Sequence, residues 1–239
     1  MKKIAFLAML ALALPLRADL RQQIESKSGW IGYSVPIAGR HTICSWDDWS
    51  DSIKDGPRLQ PSSALYVLYH VNAGHIDSVR LSSPECASLN HEVQWLDGVD
   101  ARASATLLRT LIDGDDRSLA KKAVDAFALH QGTTDDLIDI ARHNSSPKVR
   151  SMALFWISQA AGTRAASVLK DAIDNDPEED VKTKAVFGIS QLPNDQSIPL
   201  LVELIRTNRS AAVRKKAAFW LGQKNDPRAL QVLEDILKQ

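Results

Sequence analysis

Residue types able to do chemistry gather in the first third of the chain. Asp47 and Asp48 stand side by side between Trp46 and Trp49. Two carboxylates can divide acid–base work, one protonated and one ionised. Neighbours on an extended segment point to opposite sides, however, so this pair does not converge on one substrate atom. The flanking tryptophans offer a second use, a flat platform for a sugar ring. Packing around a small core is the plainer use of the same rings. His70 and His75 flank a turn signal. Two imidazoles that close could share a metal ion, and exposed hairpin histidines are the alternative. His41, His91, His130 and His143 are scattered, and no His-x-x-x-His pair or His/Cys cluster falls at zinc-ligand spacing. Nucleophile-elbow and phosphate-loop patterns are absent as well. Trp46, Asp47, Asp48, His70 and His75 therefore form the candidate set for an enzyme or small-ligand site. Against this stands a non-enzymatic reading, which implies no cofactor and no metal.

The remaining reactive residues are Cys44 and Cys86. Their meaning depends on compartment. Lys2 and Lys3 head an apolar run from Ile4 to Leu16, and Leu16-Arg17-Ala18 offers a cleavage site before Asp19. That is the layout of a secretory signal over residues 1–18, too short to span a bilayer. No further apolar run of that length occurs, so the mature chain is expected to carry no transmembrane segment and to be periplasmic or secreted. In an oxidising compartment an even cysteine count favours a Cys44–Cys86 disulfide. Closing that loop would restrict the unfolded chain by roughly 3–4 kcal/mol. Bases and acids are balanced at 29 each, and losing Lys2, Lys3 and Arg17 leaves the mature part slightly acidic. No strong basic field marks a nucleic-acid partner.

The segments that would hold these residues read as a small β-rich module over residues 19–100. Trp30 to Val35 is β-rich, with 41–44 as its expected partner. Ala64 to Val71 is apolar on both faces. Asn72-Ala73-Gly74-His75 turns the chain into a returning strand from Ile76 to Leu81, on which Ile76 shares a face with Ser78 and Arg80. The expectation is an antiparallel sheet tied by the disulfide. Trp30, Trp46, Trp49 and Trp95 supply its large rings. Asp100 is placed to cap a helix through Ala103, Leu107, Leu108, Leu111 and Ile112. This linking element over residues 101–117 covers the sheet or hinges it to the C-terminal half.

From residue 118 to 239 the pattern changes to repetition. Phe127-Ala-Leu-His-Gln131 returns as Phe155-Trp-Ile-Ser-Gln159, Phe187-Gly-Ile-Ser-Gln191 and Phe219-Trp-Leu-Gly-Gln223, with Phe-to-Phe spacings of 28, 32 and 32. A fixed period of this size marks stacked supersecondary units. Within each unit apolar residues recur at three and four, as in Val149, Met152, Ala153, Trp156 and Ile157, and then Ala165, Val168, Leu169, Ala172 and Ile173. Each unit is a helical hairpin that buries its stripe only against its neighbours. The fold class is thus α+β overall, with an all-α solenoid of about four hairpins behind the β module.

Val149, Val181 and Val213 share a register, followed by the bases Arg150, Lys182 and Arg214 and by Ala153, Ala185 and Ala217. This Val-base-x-x-Ala-x-Phe pattern resembles a HEAT repeat, in particular the short type of phycobilisome bilin lyases. The resemblance covers roughly half of the mature chain. It implies paired antiparallel helices and a face that holds another macromolecule, but nothing matches a bilin attachment or isomerase site, and lyase activity is not carried over. The first unit departs from the pattern, with Lys121 and Lys122 where Val and base belong, as an array-end unit would.

A protein or peptide is the partner that this resemblance implies. In such solenoids the second helices line the inner face. The polar candidates there are Asp139, Arg142, Lys170, Asp174, Glu203, Arg206, Glu234 and Lys238. Trp156 and Trp220 share a register with Gly188 between them, which suggests an aromatic grip beside a gap or, more plainly, packing between units. The recurrent Gln131, Gln159, Gln191 and Gln223 are expected to bond backbone at turns. The recurrent bases are expected to meet a neighbouring acid or a helix C-terminus.

Overall fold

The computed structural model describes residues 19–37, 64–83, 92–159 and 163–238. The expected signal (1–18), the expected strand at 41–44, Trp46, Asp47, Asp48, Trp49 and the Cys44–Cys86 pair lie outside those residues.

Among the described residues, four strands form one sheet: β1 (Gly29–Pro36), β2 (Ala64–Asn72), β3 (His75–Ser82) and β4 (Val93–Trp95), in the order β3-β2-β1-β4. The hairpin β2–β3 is antiparallel, and so is β1–β2. The sheet is nevertheless mixed rather than antiparallel, because β4 joins the free edge of β1 in the parallel sense. Gly32 permits that edge to close. A Cβ there would stand 2.6 Å from Leu68 Cδ2 and 2.9 Å from Val93 Cγ1.

The β2–β3 turn is the two-residue pair Ala73-Gly74, with φ of 49° and 78°. Positive φ at both positions is what a tight hairpin turn requires to match strand twist. The register then shifts between His70 and Val71, so that Val71 faces Ile76 while His70 faces Ser78. Asp77 is the extra residue of a bulge. This overturns the simple alternation: Ile76 does not share a face with Ser78 but is buried in the core cluster with Val79. One face of the sheet, carrying Ile31, Tyr33, Val35, Leu65, Val67, Tyr69 and Val71, belongs to that cluster. A short helix not foreseen in the sequence, α1 (Leu20–Glu25), adds Leu20 and Ile24, spaced one turn apart and both buried.

Nine further helices occur among the described residues: α2 (Ala101–Ile112), α3 (Arg117–Ala128), α4 (Thr134–His143), α5 (Pro147–Gln159), α6 (Thr163–Asn175), α7 (Glu179–Gln191), α8 (Asn194–Thr207), α9 (Ala211–Gly222) and α10 (Pro227–Leu237). Their ends follow local chemistry. Asp100 accepts from the backbone N–H of Arg102 and Ala103 at the start of α2, and Asp116 caps α3 through the N–H of Ser118 and Leu119. Pro227 occupies the first position of α10, where its missing N–H costs nothing.

The helices form two rows. In the first, α3, α5, α7 and α9 pack directly on one another. Ala153, Ala185 and Ala217 are fully buried in this row, where a small side chain lets backbones approach. The second row, α4, α6, α8 and α10, touches more loosely along its length. Its members lie instead on the first row, with α4 on α5, α6 on α7 and α8 on α9. The closest pairs therefore straddle the unit boundaries, and one continuous apolar core runs from the sheet through the array.

Candidate functional site

A buried run of side-chain hydrogen bonds joins the sheet to the helices and starts at Tyr69. Tyr69 Oη lies 2.8 Å from Tyr33 Oη, Tyr33 Oη lies 2.7 Å from Ser104 Oγ, and Ser104 Oγ lies 2.8 Å from His130 Nε2. His130 Nδ1 lies 2.8 Å from the carbonyl of Ala126. A carbonyl only accepts, so Nδ1 carries the proton and Nε2 is the acceptor. Ser104 then donates to His130, Tyr33 to Ser104 and Tyr69 to Tyr33. Burial holds the His130 imidazole below its ordinary pKa and pushes Tyr33 up to about 12. Ser104 and His130 have the contact of a nucleophile and its base, but their relative exposures are 0% and 2%. No substrate reaches them. The line fastens β1 and β2 to α2 and to the end of α3.

The second-row candidates are placed at the surface and are largely engaged with one another. Asp139 accepts from Arg109 Nη2 of α2 at 2.7 Å and from His143 Nδ1 at 2.8 Å. The Arg109 and His143 hydrogen bonds hold its carboxyl below the usual carboxylate range. Arg142 of α4 pairs with Asp171 of α6 at 3.1 Å, and Arg164 of α6 returns to Asp135 of α4 at 2.7 Å. Lys170 of α6 pairs with Glu203 of α8. Lys238 lies 3.9 Å from Glu234, one turn away. Asp174 is exposed beside Lys170, and Arg206 is exposed in the last turn of α8. The row is a ladder of cross-helix ion pairs. A shallow cleft of about 200 Å³ opens where α4 meets α6, between Arg142, His143, Asp171 and the apolar Leu154, Val168 and Pro177.

The recurrent bases do structural duty. Arg150 Nε and Nη2 each lie 2.8 Å from an oxygen of Asp176, and Nη1 donates to the carbonyl of Asn144 at 2.9 Å. Both partners are buried. Burial would raise the Asp176 pKa, but the Arg150 guanidinium and the Glu178 N–H outweigh it and hold the carboxyl low. Arg214 donates to the carbonyls of Asn208 and Arg209, and Lys182 to that of Asp174. Each base thus satisfies carbonyls at the end of the preceding helix. Gln131 donates to the Ile37 carbonyl, whereas Gln159 and Gln191 reach the neighbouring Ser158 and Ser190 hydroxyls.

The first row carries a strip of aromatic rings. Trp156 meets Phe155 at 5.5 Å between centroids, Phe155 lies parallel to Phe187 at 6.3 Å, Phe187 meets Trp220 at 4.9 Å, and Trp220 meets Phe219 at 4.9 Å. Trp156 and Trp220 are thus members of one strip, with Phe155 and Phe187 between them. Gly188 does not open a gap in it. Gly188 is buried, and a Cβ there would stand 2.6 Å from Leu169 Cδ2. Around the strip stand the exposed Lys148, Lys184, Lys215 and Lys216. Lys216 Nζ lies 5.7 Å from the centroid of Phe219, within reach of a cation–π attraction. The sequence signal for this strip was the Phe of the recurrent phrase preceded three residues earlier by Lys184 and Lys216.

In the β module, His70 Nδ1 lies 2.7 Å from Asp77 Oδ1, and its ring rests 4.9 Å from Trp30. His75 is exposed at the start of β3, opposite Asn72. Trp95 packs on Tyr66 at 4.9 Å. Among the described residues, no group of His, Cys, Asp or Glu is arranged to hold a metal ion, and no helix is long and apolar enough to cross a membrane.

No curated protein matches the chain. Two overlapping stretches, residues 134–218 and 166–239, match the model of HEAT repeats. The match opens at α4 and leaves α3, whose sequence lacks the Val-base pair, outside it. Stacked hairpins, carbonyl-capping bases and a continuous core agree with that match, and residues 134–239 are similar to HEAT repeats.

Proposed function

We propose that the protein is a non-enzymatic scaffold that holds a protein or peptide on a face of its helical array. One observation carries this reading: among the described residues the buried polar groups with catalytic geometry are sealed in the core or spent on helix boundaries, and the array leaves a long exposed side-chain surface. Ser104 and His130 are sealed in the core, and the buried Arg150–Asp176 pair closes a helix boundary. HEAT repeats commonly serve as interaction scaffolds, and a stack of hairpins offers an extended surface without a closed pocket. Export through residues 1–18 and a Cys44–Cys86 disulfide belong to the same proposal. They would put the scaffold in the periplasm or outside the cell.

Site-specific photo-crosslinking in the native host tests the reading. A crosslinker at Lys184 or Arg142 of the array should trap a reproducible partner, and the purified partner should bind the purified chain. Absence of any trapped protein from both rows would sink the scaffold. Fractionation, and the mass of the chain after thiol alkylation with and without reductant, decide export and the disulfide.

A further inference from the structure

The two rows of the array differ in what they leave unsatisfied. The second row is largely neutralised: Arg142, Arg164 and Lys170 each reach a carboxylate on a neighbouring helix of the row, and Arg109 of α2 reaches Asp139 of α4. Its charges stabilise the stack, and a partner would have to displace them. The first row has no such ladder among the described residues. Lys184 and Lys215 make no ion pair there, and Lys216 meets only the ring of Phe219.

Helical spacing puts these lysines beside the rings. Lys184 precedes Phe187 by three residues, and Lys215 and Lys216 precede Phe219 by four and three. Residues so spaced share a helix face. The period of 32 residues repeats the arrangement on α7 and α9. Asp180 is an acid one turn before Lys184, and the cations outnumber it. Phe155 and Phe187 are partly covered by the next unit, whereas Phe219 is 52% exposed. Few large apolar side chains stand so far into solvent: among the described residues, only Phe219 and Leu230 do.

We propose that this face is a docking strip for an extended acidic segment of a partner protein. Apolar side chains of the segment would lie on Phe155, Phe187 and Phe219, and its carboxylates would meet Lys184, Lys215 and Lys216. The inference rests on the scaffold reading and narrows it to one row and one ligand chemistry. Charge complementarity sets the sign of the ligand, because a strip of unneutralised ammonium groups disfavours a basic peptide and attracts an acidic one. The rings set the need for apolar side chains. They also disfavour a nucleic acid, since Phe155 lies parallel to Phe187 and Trp220 leans on Phe187, so that a base finds few whole ring faces to stack on, whereas an aliphatic side chain can pack on the partly exposed rings. Spacing favours an extended chain. A strand advances about 3.3 Å per residue, so alternate side chains on one of its sides fall about 6.6 Å apart, close to the 6.3 Å between the Phe155 and Phe187 centroids, and the long side chains of Lys184, Lys215 and Lys216 reach along the edges of the segment to its carboxylates.

The test uses the full chain and a fluorescent peptide of alternating Leu and Asp, followed by polarisation. The peptide should bind, weaken with added salt, and lose about tenfold in affinity in K184E/K216E. F219S should weaken it too, without a loss of Tm, because that ring is half in solvent. R206E on the second row should leave binding unchanged. A Leu/Lys peptide that binds as well, a loss caused by R206E instead, or stronger binding of single-stranded DNA or of anionic vesicles would overturn the strip. So would no binding of the Leu/Asp peptide. The scaffold survives any of these if crosslinking from the array still traps a partner, so the two failures are distinct.

Discussion

Trp156 Nε1 on α5 donates to Asp125 Oδ1 on α3 across 2.8 Å. Two residues before the recurrent Phe, Asp125 occupies the position that Ala153, Ala185 and Ala217 hold in the later units. Trp220 shares the register of Trp156, but α7 carries Ala185 at the position of Asp125, and the buried Trp220 Nε1 has no acceptor. The same ring is therefore satisfied at one boundary and orphaned at another, and one substitution of the small residue makes the difference. Burial raises the Asp125 pKa, and the Trp156 hydrogen bond and Lys121 only partly offset it.

That relationship predicts a pH-dependent ranking of variants. A raised folded pKa means that the native state binds the proton more tightly than the unfolded chain. Stability is then highest at low pH and falls as pH rises through the raised folded value. D125N keeps an acceptor for Trp156 and removes the charge, so at pH 7 it should be at least as stable as the parent. D125A leaves the indole N–H unpaired and should cost about 1 kcal/mol or more. Urea unfolding at pH 7 and pH 4.5 checks this. The advantage of D125N should shrink at the lower pH, and an advantage that grows there would refute the assignment.

The line from Tyr69 to His130 predicts an order of losses. Y69F removes only the outermost donor. Y33F interrupts the middle and leaves the Tyr69 hydroxyl and Ser104 Oγ without their partner, so it should cost more, about 2–3 kcal/mol against about 1. For His130 the folded pKa is lowered, so the unfolded chain takes up a proton first. Its contribution is fully present above the ordinary value near 6.5 and is lost as pH falls through the lowered folded value. H130N, which cannot titrate, should flatten the acid limb of stability against pH. An unchanged acid limb in that variant would mean that the imidazole is not the group responsible.

Removing one partner of the buried Arg150–Asp176 pair should be among the costliest changes in the array. R150M leaves the Asp176 carboxylate buried without its counter-ion and the Asn144 carbonyl without its donor. A loss of about 3–5 kcal/mol is expected. R150M/D176N removes both charges, and Asn retains an acceptor for the Glu178 N–H at the start of α7. The double variant should recover part of the loss in a mutant cycle. Losses that simply add would show that the two side chains act separately.

Much of the array was legible because its signal is periodic. The recurring Phe phrase gives the unit length, the three-and-four spacing gives the buried stripes, and Arg150, Lys182 and Arg214 can be read as ends-of-helix donors from their place after Val. The sheet was less legible because its pairing is not local. The parallel docking of β4 rests on a three-residue strand with little β signal of its own. The bulge at Asp77, which turns Ile76 inward, arises from a turn whose register the sequence does not announce. The spacing of the second-row charges marks them as polar positions of their helices but does not mark them as each other's partners. A trace of that pairing was present, since Arg109–Asp139, Arg142–Asp171 and Lys170–Glu203 are separated by 30, 29 and 33 residues, close to one period. Nothing in the sequence distinguishes the lysines beside Phe187 and Phe219 from an ordinary solvated face, because only the three-dimensional arrangement shows that the other row pairs most of its own charges.

Gly188 gives the sharpest packing test. Trp156 and Trp220 occupy its register in the units on either side, yet Gly188 is buried, with Leu169 of α6 filling the place of a side chain. A Cβ at 188 would meet Leu169 Cδ2 at 2.6 Å, Leu169 Cδ1 at 3.3 Å and Ser158 Cβ at 3.4 Å. Leu169 has 0% exposure and no free direction in which to retreat. G188A gains about 1 kcal/mol of helix propensity, but overpacking of about 1–3 kcal/mol opposes it. The net expectation is a small loss. L169A alone should cost about 2–5 kcal/mol through the cavity it leaves. In that background the same Cβ at 188 enters empty space, and only the propensity gain remains. G188A should therefore change sign, from destabilising in the parent to stabilising beside L169A, a coupling that thermal or urea unfolding of the four proteins measures directly. If G188A stabilises both backgrounds equally, α6 and α7 are not in contact at this point, and the second row does not pack on the first in the way that places Leu169 over Gly188.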